Sequence, residues 1–494
     1  MERFAREMYA CAQLMSPTTT KDNVPLCVDL DGTLVRTDLL VESWFGLLKH
    51  NTLLALLAPY WLIHGKARLK HEIARRIDLD VESLPYNGEL LEHLRDQHRQ
   101  GRRLVLTTAS NLKYASRVAD YLGIFEDVIA SNAQTNVSGE RKHRLLIERF
   151  GDGGFDYAGN ARADLHVFPS ARRTLLVNPE PGVERAGKRL GNLERSFHDE
   201  SSKLRAYIRA LRPHQWLKNV LVFVPLAAAH RLGNPELLGQ AAAAFVAFGL
   251  CASSVYLLND LMDLPADRAH PRKRNRPFAS GAISVKAGLV LIPLLLTMAI
   301  GIAAALSVAF LLVLASYFVS TLAYSLWLKG KVMVDVLVLA ALYTWRMLAG
   351  AAAVAIAPSF WLLAFSMFIF LSLAMVKRYA ELLDLGAGGS LAATGRGYEL
   401  VDLATLQSLG AASGYCAVLV LALYINSDDV RENYEHPEVI WLLCPLLLYW
   451  ISRMWQRAGR GQMYDDPIVF ALRDPISRWV GIASAGVLLA GNWV

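Results

Sequence analysis

Charged residues are scarce in this chain. Of its 494 residues, 19% are Asp, Glu, Lys or Arg, whereas 54% are hydrophobic. The scarcity begins after Trp216, where long apolar runs replace a sequence that mixes charge and hydrophobe. This distribution argues against a purely soluble enzyme and is typical of a globular domain followed by a membrane domain. The net charge of +7 comes from loops between the apolar runs, so no nucleic-acid partner is predicted.

Cysteine is also rare, and a secretory signal is lacking. The stretch Met1–Leu14 carries four charged residues and no long apolar core, so we expect the N-terminal domain to remain in the cytosol. The five cysteines have neither metal-ligand nor paired spacing and are interpreted as structural thiols; they are Cys11, Cys27, Cys251, Cys416 and Cys444.

Residues 1–190 alternate short apolar strands with helical stretches, which predicts an α/β domain with a parallel sheet. An insert at about residues 40–97 is predicted to form a small helical cap. Its run Leu53–Ile63 is too short to span a bilayer and is interpreted as the core of the cap rather than a membrane-surface helix. The predicted strands are Pro25–Leu30, Arg103–Thr108, Asp127–Ser131, Phe155–Gly159 and Thr174–Val177.

Residues 191–216 are predicted to be a linker, and residues 217–494 an all-α membrane domain. The linker places Leu204, Tyr207, Ile208 and Leu211 at helical spacing beside basic residues, the pattern of an amphipathic helix at the membrane interface. Nine spans are predicted, near Leu217–Ala229, Leu237–Leu258, Ala287–Ile302, Ala305–Tyr324, Val332–Val354, Phe360–Val376, Leu406–Ile425, Val439–Ile451 and Trp479–Val494.

The loops between these spans differ in charge. Lys and Arg concentrate before span one and after spans two, four, six and eight, whereas the opposite loops hold only Arg231 and Arg431. Because basic loops stay in the cytosol, this asymmetry predicts a multi-pass protein of the plasma membrane. The N-terminal domain would then be cytoplasmic and the C-terminus outside.

The loop after the second span reads NDLMDLPADRAHPRKRNRP from Asn259 to Pro277. Asp260, Asp263 and Asp267 are three and four residues apart and would share one helix face, although Pro265 could kink or restart that helix. Carboxylates at a membrane boundary repel one another unless a cation neutralises them, and oxygen ligands suit Mg²⁺. The basic residues that follow could hold phosphate oxygens; they are Arg268, Arg272, Lys273, Arg274 and Arg276.

The NDxxDxxxD loop resembles the first acidic motif of the UbiA prenyltransferase superfamily, and the resemblance covers about Leu204–Val494. It implies a nine-helix membrane bundle with cytosolic acidic loops and Mg²⁺ as cofactor. It also implies that Asn259, Asp260, Asp263 and Asp267 form the metal and diphosphate site. Quinone-type members carry a second acidic pair after span four, where this chain has only Asp335, near Tyr324, Lys329 and Lys331.

Four segments resemble one branch of that superfamily, the polyprenyl-phosphate phosphoribosyltransferases. They are LRPHQWLKNVLVFVPL, the acidic loop, YSLWLK with Asp335, and KRYAEL. The resemblance implies phosphoribosyl pyrophosphate as donor and a polyprenyl phosphate as acceptor, in the lipid bilayer. Lys218, Lys329, Lys377, Arg378 and Glu381 would then line the substrate site, with Asp335 catalytic. The soluble signature for that donor, a strand-borne acidic pair before a Gly-Thr turn, is not visible.

The motif VDLDGT at Val28–Thr33 resembles the signature of haloacid dehalogenase-like phosphatases, over about Val24–Pro179. The resemblance implies that Asp29 is the nucleophile, Asp31 the general acid and base, Thr108 (or, less favoured, Thr107) a phosphate ligand, and Lys142 its counter-charge. Asn160 stands where an acid is expected, while Asp164 remains. Mg²⁺ would bind Asp29, Asp31, Asn160 and Asp164, more weakly than with an acid at 160.

The leading hypothesis is therefore a transferase that makes a phosphoribosyl lipid, with a fused phosphatase that removes the ribose 5-phosphate. Three alternatives remain open: an aromatic prenyltransferase that uses prenyl diphosphate, a transporter or membrane scaffold, and a phosphatase-like domain kept for binding or folding. Homo-oligomer formation is also left open.

Overall fold

The computed structural model describes residues 24–198, 202–387, 397–427, 434, 436–463 and 466–493. The chain forms two compact units. The first, here the sheet unit, comprises Met1–Ala210 and Asp260–Val290, and the second, the membrane unit, comprises Leu211–Asn259 and Leu291–Val494. The acidic loop thus packs with the N-terminal domain, although its sequence lies between two predicted spans.

The sheet unit contains a six-stranded parallel sheet in the order β3-β2-β1-β4-β5-β6. Its short apolar strands are buried because helices cover both faces, as parallel sheets require. The five predicted strands are present, and a sixth lies in the segment predicted to be linker, where it pairs with β5. The strands are β1 Leu26–Val28, β2 Leu104–Asn111, β3 Asp127–Ser131, β4 Asp156–Gly159, β5 Thr174–Val177 and β6 Leu193–Phe197.

The insert after β1 is helical, as predicted. Helix α1 begins at Leu39, because the Asp38 side chain accepts from the Leu40 and Val41 amides and caps it. The helices of this region and of the sheet are α1 Leu39–His50, α2 Thr52–Ala55, α3 Ala58–Ile63, α4 Lys66–Ala74, α5 Gly88–Arg99, α6 Leu112–Leu122, α7 Glu140–Phe150, α8 Val183–Leu190 and α9 Lys203–Leu211.

The apolar run Leu53–Ile63 does not form the core of the cap. Only Ala55 and Trp61 are buried, beside Leu47 and Ile73, whereas most of the run's large apolar side chains are exposed. The reason is geometric: two helices shorter than two turns can each direct only a residue or so inward.

The described residues contain seven helices long and apolar enough to cross a membrane. The predicted count of nine spans is therefore not confirmed. The first predicted span is a 3₁₀ segment, Pro213–Phe223, followed by a five-residue helix, and the ninth is a shorter apolar helix. Its last residue, Val494, lies outside the described residues.

The membrane region is otherwise built from long apolar helices whose largest core joins the later spans. Gly350 lets one of them approach the Pro213–Phe223 segment, because an added Cβ would lie 1.9 Å from the Val222 carbonyl oxygen. The helices are α10 Val224–Ala228, α11 Pro235–Met262, α12 Leu264–Ala269, α13 Val285–Leu306, α14 Val308–Ala323, α15 Val334–Ala353, α16 Phe360–Ala387, α17 Leu403–Ile425, α18 Pro437–Ile440, α19 Leu443–Gly459, α20 Pro467–Arg473 and α21 Pro475–Trp493.

Candidate active sites

The two acids of the VDLDGT motif follow β1 and are oriented by the backbone. The Asp29 amide donates to the Ala158 carbonyl of β4 (2.9 Å), and Asp31 Oδ1 accepts from the Leu39 amide (2.9 Å). Gly32 has a φ of +78°, and a Cβ there would lie 2.3 Å from the Asn160 amide nitrogen. The turn therefore requires glycine, and it brings the first and last motifs together.

A buried lysine joins these motifs. Lys142 Nζ donates to Asp29 Oδ1 (2.8 Å), to Asp164 Oδ1 (3.3 Å) and to the Tyr157 hydroxyl (2.8 Å). Burial raises the pKa of Asp29 to about 7, with Lys142 opposing that shift and Asp164 adding to it. Burial likewise raises the pKa of Asp31 to about 6, helped by Asp38. Both carboxyl groups can therefore take up or release a proton near neutral pH.

The predicted phosphate ligand Thr108 lies at the same end of the sheet. Its hydroxyl oxygen accepts from the Ser110 amide (3.0 Å), and the Ser110 hydroxyl donates to Asp31 Oδ2. Thr107 is also buried, but side chains alternate along a strand, so it faces the other side of β2. Ser110 was not predicted, because a serine that follows the apolar part of a strand carries no distinctive signal.

Asp164 organises this site through four hydrogen bonds. Its Oδ2 accepts from the amides of Asn160 (3.1 Å) and Ala161 (3.0 Å), while its Oδ1 accepts from Tyr157 (2.8 Å) and Lys142. Both oxygens are thus engaged by the protein. Asp164 therefore fixes the loop and the lysine, and its predicted role as a metal ligand stays a prediction.

The oxygens at this site suit Mg²⁺. Asp29 supplies a carboxylate, and Asn160 supplies an amide oxygen that the Thr33 hydroxyl also contacts (3.3 Å). Within the described ranges no three His, Cys, Asp or Glu side chains are grouped to hold a metal. Mg²⁺ commonly binds one or two carboxylates and completes its shell with water and substrate phosphate, so the donor set fits.

The cap contributes a cation to the same end of the sheet. Lys70 of α4 donates to the Ala109 carbonyl and to Asn136 Oδ1 (2.7 Å). Burial lowers the pKa of Lys70, and Asp31 opposes that shift. Lys70 was not predicted, because nothing in the sequence separates it from the other basic residues of the insert.

In the acidic loop, two of the three predicted acids lie together. Asp260 and Asp267 are both buried and both accept from Arg276 Nη1, at 3.1 and 2.7 Å. Helix α11 ends at Met262, and α12 restarts with Pro265 in its first turn, as the sequence allowed. This break turns Asp263 toward Lys49, whose Nζ lies 2.6 Å from Oδ1.

The basic residues of this loop do not form one cluster. Arg268 is buried and donates to both Glu42 carboxylate oxygens of α1 (2.6 and 3.0 Å), so its predicted phosphate contact stays a prediction. Lys273 is exposed. The paired carboxylates of Asp260 and Asp267, with Arg276 beside them, form an oxygen donor set that fits Mg²⁺ and a diphosphate.

The membrane unit holds a buried polar cluster centred on Asp466. Asp466 Oδ2 accepts from Lys218 (2.7 Å), Lys377 (3.2 Å) and the Tyr343 hydroxyl (3.0 Å). The Arg346 guanidinium lies 5.5 Å from the centre of the Tyr343 ring and bonds to Asn219 Oδ1 (3.0 Å). Two lysines therefore share one carboxylate, and a third cation, Arg346, lies against the tyrosine that is bonded to it, so positive charges outnumber negative ones in this group of side chains.

Lys218 and Lys377 were predicted site residues, whereas Asp466, Tyr343 and Arg346 were missed. An arginine within the apolar run of α15 is a functional signal in a membrane helix, and it could have identified Arg346. No comparable signal marks Asp466, because it lies in an ordinary loop before α20.

A second polar cluster of the membrane unit contains the other predicted residues. Asp335 is fully buried, accepts from the Tyr324 hydroxyl (2.6 Å) and is paired with Arg378, which also binds Glu381. Asp335 is thus one of two carboxylates paired with Arg378. Lys329 is half-buried at the start of the loop after the fourth predicted span. Separately, Asn259 Oδ1 is buried with no hydrogen-bond partner among the described residues.

Two family models match the chain. The UbiA prenyltransferase family matches residues 220–427, and the haloacid dehalogenase-like hydrolases match residues 26–166. The UbiA match includes Lys377 but begins just after Lys218. The hydrolase match includes the whole site from the VDLDGT motif to Asp164.

The chain aligns with most of the length of three curated relatives. The uncharacterized protein y4nM of Sinorhizobium fredii is 35% identical over 470 residues, which is 94% of this chain and 91% of that protein. The decaprenyl-phosphate phosphoribosyltransferase of Mycolicibacterium smegmatis is 39% identical over 294 residues, 57% of this chain and 92% of that protein. The nodulation protein NoeC of Azorhizobium caulinodans is 39% identical over 270 residues, 54% of this chain and 87% of that protein.

Proposed function

The chain belongs to the UbiA prenyltransferase family and carries a haloacid dehalogenase-like domain, and from this premise we propose a two-step function. The membrane region transfers a 5-phosphoribosyl group from phosphoribosyl pyrophosphate to a polyprenyl phosphate. The N-terminal domain then removes the 5-phosphate from the lipid-linked product. The proposal includes nine membrane passes, a cytoplasmic N-terminal domain and an external C-terminus, in keeping with the loop charges.

The observation that carries the transferase proposal is the buried excess of positive charge around Asp466. Lys218 and Lys377 share the one carboxylate of Asp466, Arg346 lies against Tyr343 beside them, and buried charge without a counter-ion is costly. A phosphate group would remove that cost. Both reactants of the proposed transfer carry phosphates, and the acceptor also carries a lipid tail that suits apolar helices.

The pairing of Asp335 favours a phosphoribosyl donor over a prenyl diphosphate. Quinone-type members of the superfamily, by resemblance, carry a second acidic pair for metal at this place in the sequence. Here the single acid at that place is fully buried and its oxygens are engaged by Arg378 and Tyr324, so they are not open to a second metal. One diphosphate-bearing reactant, bound through the Asp260 and Asp267 carboxylates, agrees with that arrangement.

In the transfer, a phosphate oxygen of the lipid attacks the anomeric carbon of the ribose, and the bond from that carbon to pyrophosphate breaks. Pyrophosphate leaves with the bonding electrons. A bound Mg²⁺ would neutralise the charge that grows on it. Asp260 and Asp267 are the residues that would hold the ion.

In the second step, an oxygen of Asp29 attacks the phosphorus of the ribose 5-phosphate, and the ribose oxygen leaves with a proton from Asp31. Water then attacks the aspartyl-phosphate, with Asp31 taking up its proton, and inorganic phosphate is released. Lys142 neutralises the transferring phosphoryl group, and Thr108 donates to it. A Mg²⁺ ion at Asp29 and Asn160 would add positive charge at the same place.

The decisive experiment supplies both kinds of donor to the purified full-length protein in lipid nanodiscs with Mg²⁺. Labelled phosphoribosyl pyrophosphate with polyprenyl phosphate is expected to label the lipid. Labelled prenyl diphosphate with an aromatic acceptor is expected to give no product. Label in the aromatic product would replace the proposal with aromatic prenyl transfer, and no product from either pair in folded protein would favour a transporter or scaffold.

A matched pair of variants ties that activity to the cationic cluster. Lys218→Met removes a buried cation of the cluster, whereas Lys331→Met removes an exposed lysine. Transfer should fall by about 10²-fold in Lys218→Met, as expected for loss of a charged contact to phosphate, and stay unchanged in Lys331→Met. Equal activities would show that the Asp466 cluster is not where phosphate binds.

A further inference from the structure

The cap of the sheet unit carries a group of exposed apolar side chains close together in the sequence. It consists of outward side chains of α2, α3 and the turn between them, and includes Leu53 (79% exposed), Leu56 (66%) and Ile63 (83%). We call this surface the cap patch; its other members are Leu57, Tyr60 and Leu62. Exposed apolar residues are common singly, but six within eleven positions of the chain indicate an interaction surface.

The inward side of the same segment already has its partners. Ala55 and Trp61 are buried against Leu47 and Ile73, and Arg76 lies over the Trp61 ring, 5.1 Å from its centre. The helices are therefore anchored to the cap, and the cap patch is the side that remains exposed.

Helix α1, which leads directly into the cap patch, is attached at both ends to the ends of membrane helices. Asp38 at its start lies 3.0 Å from Lys286, in the first turn of α13. Lys49 at its end lies 2.6 Å from Asp263, the residue after α11. Both α11 and α13 are candidate spans. The residues that α1 contacts, Asp263 and Lys286, thus adjoin two candidate spans in the sequence, and the cap patch begins four residues after Lys49.

The charge around the cap patch is positive. Between Lys49 and Arg76 the chain holds six Lys or Arg residues and a single acid, Glu72. Lys66, Arg68 and Arg75 are exposed. Apolar side chains bordered by exposed basic groups are the pattern of a segment that lies in the interface of an anionic membrane.

We propose that the cap patch inserts into the headgroup and upper acyl region of the cytoplasmic leaflet, with the flanking lysines and arginines on anionic lipid headgroups. The cap would then be a membrane-bound lid over the carboxyl ends of the strands. A lipid-linked substrate would reach the Asp29 site along the bilayer surface. The docking itself does not depend on either proposed reaction.

The test measures the depth of spin labels on the full-length protein in nanodiscs that contain phosphatidylglycerol. Labels are attached at Leu56→Cys and Ile63→Cys, in a background whose native cysteines are replaced by alanine and whose fold is verified by thermal unfolding. Matched controls are Tyr121→Cys and Leu190→Cys, exposed apolar positions at the C-terminal ends of α6 and α8. Collisions with oxygen, which concentrates in lipid, are compared with collisions with a water-soluble nickel chelate.

At Leu56 and Ile63 the oxygen-to-nickel collision ratio should exceed the control ratio several-fold. It should fall toward the control values when Leu53, Leu57 and Leu62 are all replaced by Glu. Ratios equal to those at Tyr121 and Leu190 would overturn the proposal. Protection from both reagents, with broadening between identical labels, would also overturn it, because a second copy of the chain would then cover the cap patch.

Discussion

The two acidic motifs of the sheet unit are held in place in different ways. Asp29 and Asp31 follow a buried strand and are oriented mainly by backbone amides, a serine and one lysine. Asp260 and Asp267 lie in a loop and are brought together by the Arg276 side chain, while the same loop is tied to α1 through other ion pairs. The first arrangement depends on the sheet, and the second depends on charged side chains.

This difference has a functional consequence. A strand end keeps its geometry when a neighbouring side chain changes, so the Asp29 site should tolerate remote substitutions. The acidic loop should instead respond to changes in α1, which contributes Glu42 and Lys49 to its ion pairs.

Replacing the nucleophile should abolish one activity and spare the other. Asp29→Asn is nearly isosteric but cannot form the aspartyl-phosphate, so phosphate release from the phosphoribosyl lipid should fall by roughly 10⁴-fold. Transfer from phosphoribosyl pyrophosphate should stay within twofold of wild type. Assays of both steps on one preparation check this, and unchanged phosphate release would exclude the phosphatase proposal.

Replacing an acid of the loop should lower the transfer activity and leave the phosphatase activity unchanged. Asp260→Asn removes one of two buried carboxylates that share Arg276, so transfer should fall by about 10²- to 10³-fold, with phosphatase activity intact. Asp263→Asn is the matched control, since that carboxylate is paired with Lys49, and its loss should cost less. Equal losses in the two variants would contradict the grouping of Asp260 with Asp267.

The same contrast explains what the sequence could predict. The VDLDGT motif predicted its own geometry, because a strand end and a Gly turn leave few alternatives, and Lys142 lies beside Asp29 as expected. The spacing of three and four residues in the loop predicted one shared helix face. The helix breaks at Asp263, however, and only two of the three acids meet.

Other features depend on contacts between distant parts of the chain, which spacing does not encode. The pairing of Glu42 with Arg268 joins residues 226 positions apart, and that of Lys218 with Asp466 joins residues 248 apart. Strand β6 was missed because Leu193–Phe197 has three polar residues between two apolar ones and lies at an edge, within a segment rich in basic residues. The exposed cap patch was missed because apolar composition alone predicts burial.

Breaking the attachment of the loop to α1 should affect transfer more than hydrolysis. Glu42→Gln leaves Arg268 buried without a carboxylate, and loss of such a supporting contact typically lowers activity by about 10- to 100-fold. Transfer should fall in that range, and phosphate release should change less than threefold. Glu89→Gln, in the first turn of α5, serves as a control of equal charge change.

A double replacement separates positioning from simple unfolding. Glu42→Met with Arg268→Met removes both buried charges, so the fold should recover toward wild-type thermal stability. If transfer recovers with it, the ion pair matters through the position of the loop. If transfer stays low while stability recovers, Arg268 itself contacts the reactants, and the loop would resemble the strand-end site more than proposed.

The smallest expected effect concerns the residue that departs from the phosphatase pattern. Asn160 lies beside Gly32 and supplies a neutral oxygen near Asp29, so Asn160→Asp should add one negative charge to the ligands. The Mg²⁺ concentration that gives half-maximal phosphate release should then drop about tenfold. The Mg²⁺ dependence of the transfer reaction, whose acids lie in the loop, should not change. An equal shift in both reactions would mean that the two reactions do not use separate Mg²⁺ sites. No shift in either would indicate that the oxygen at position 160 does not touch the metal, and that Thr33 alone determines its orientation.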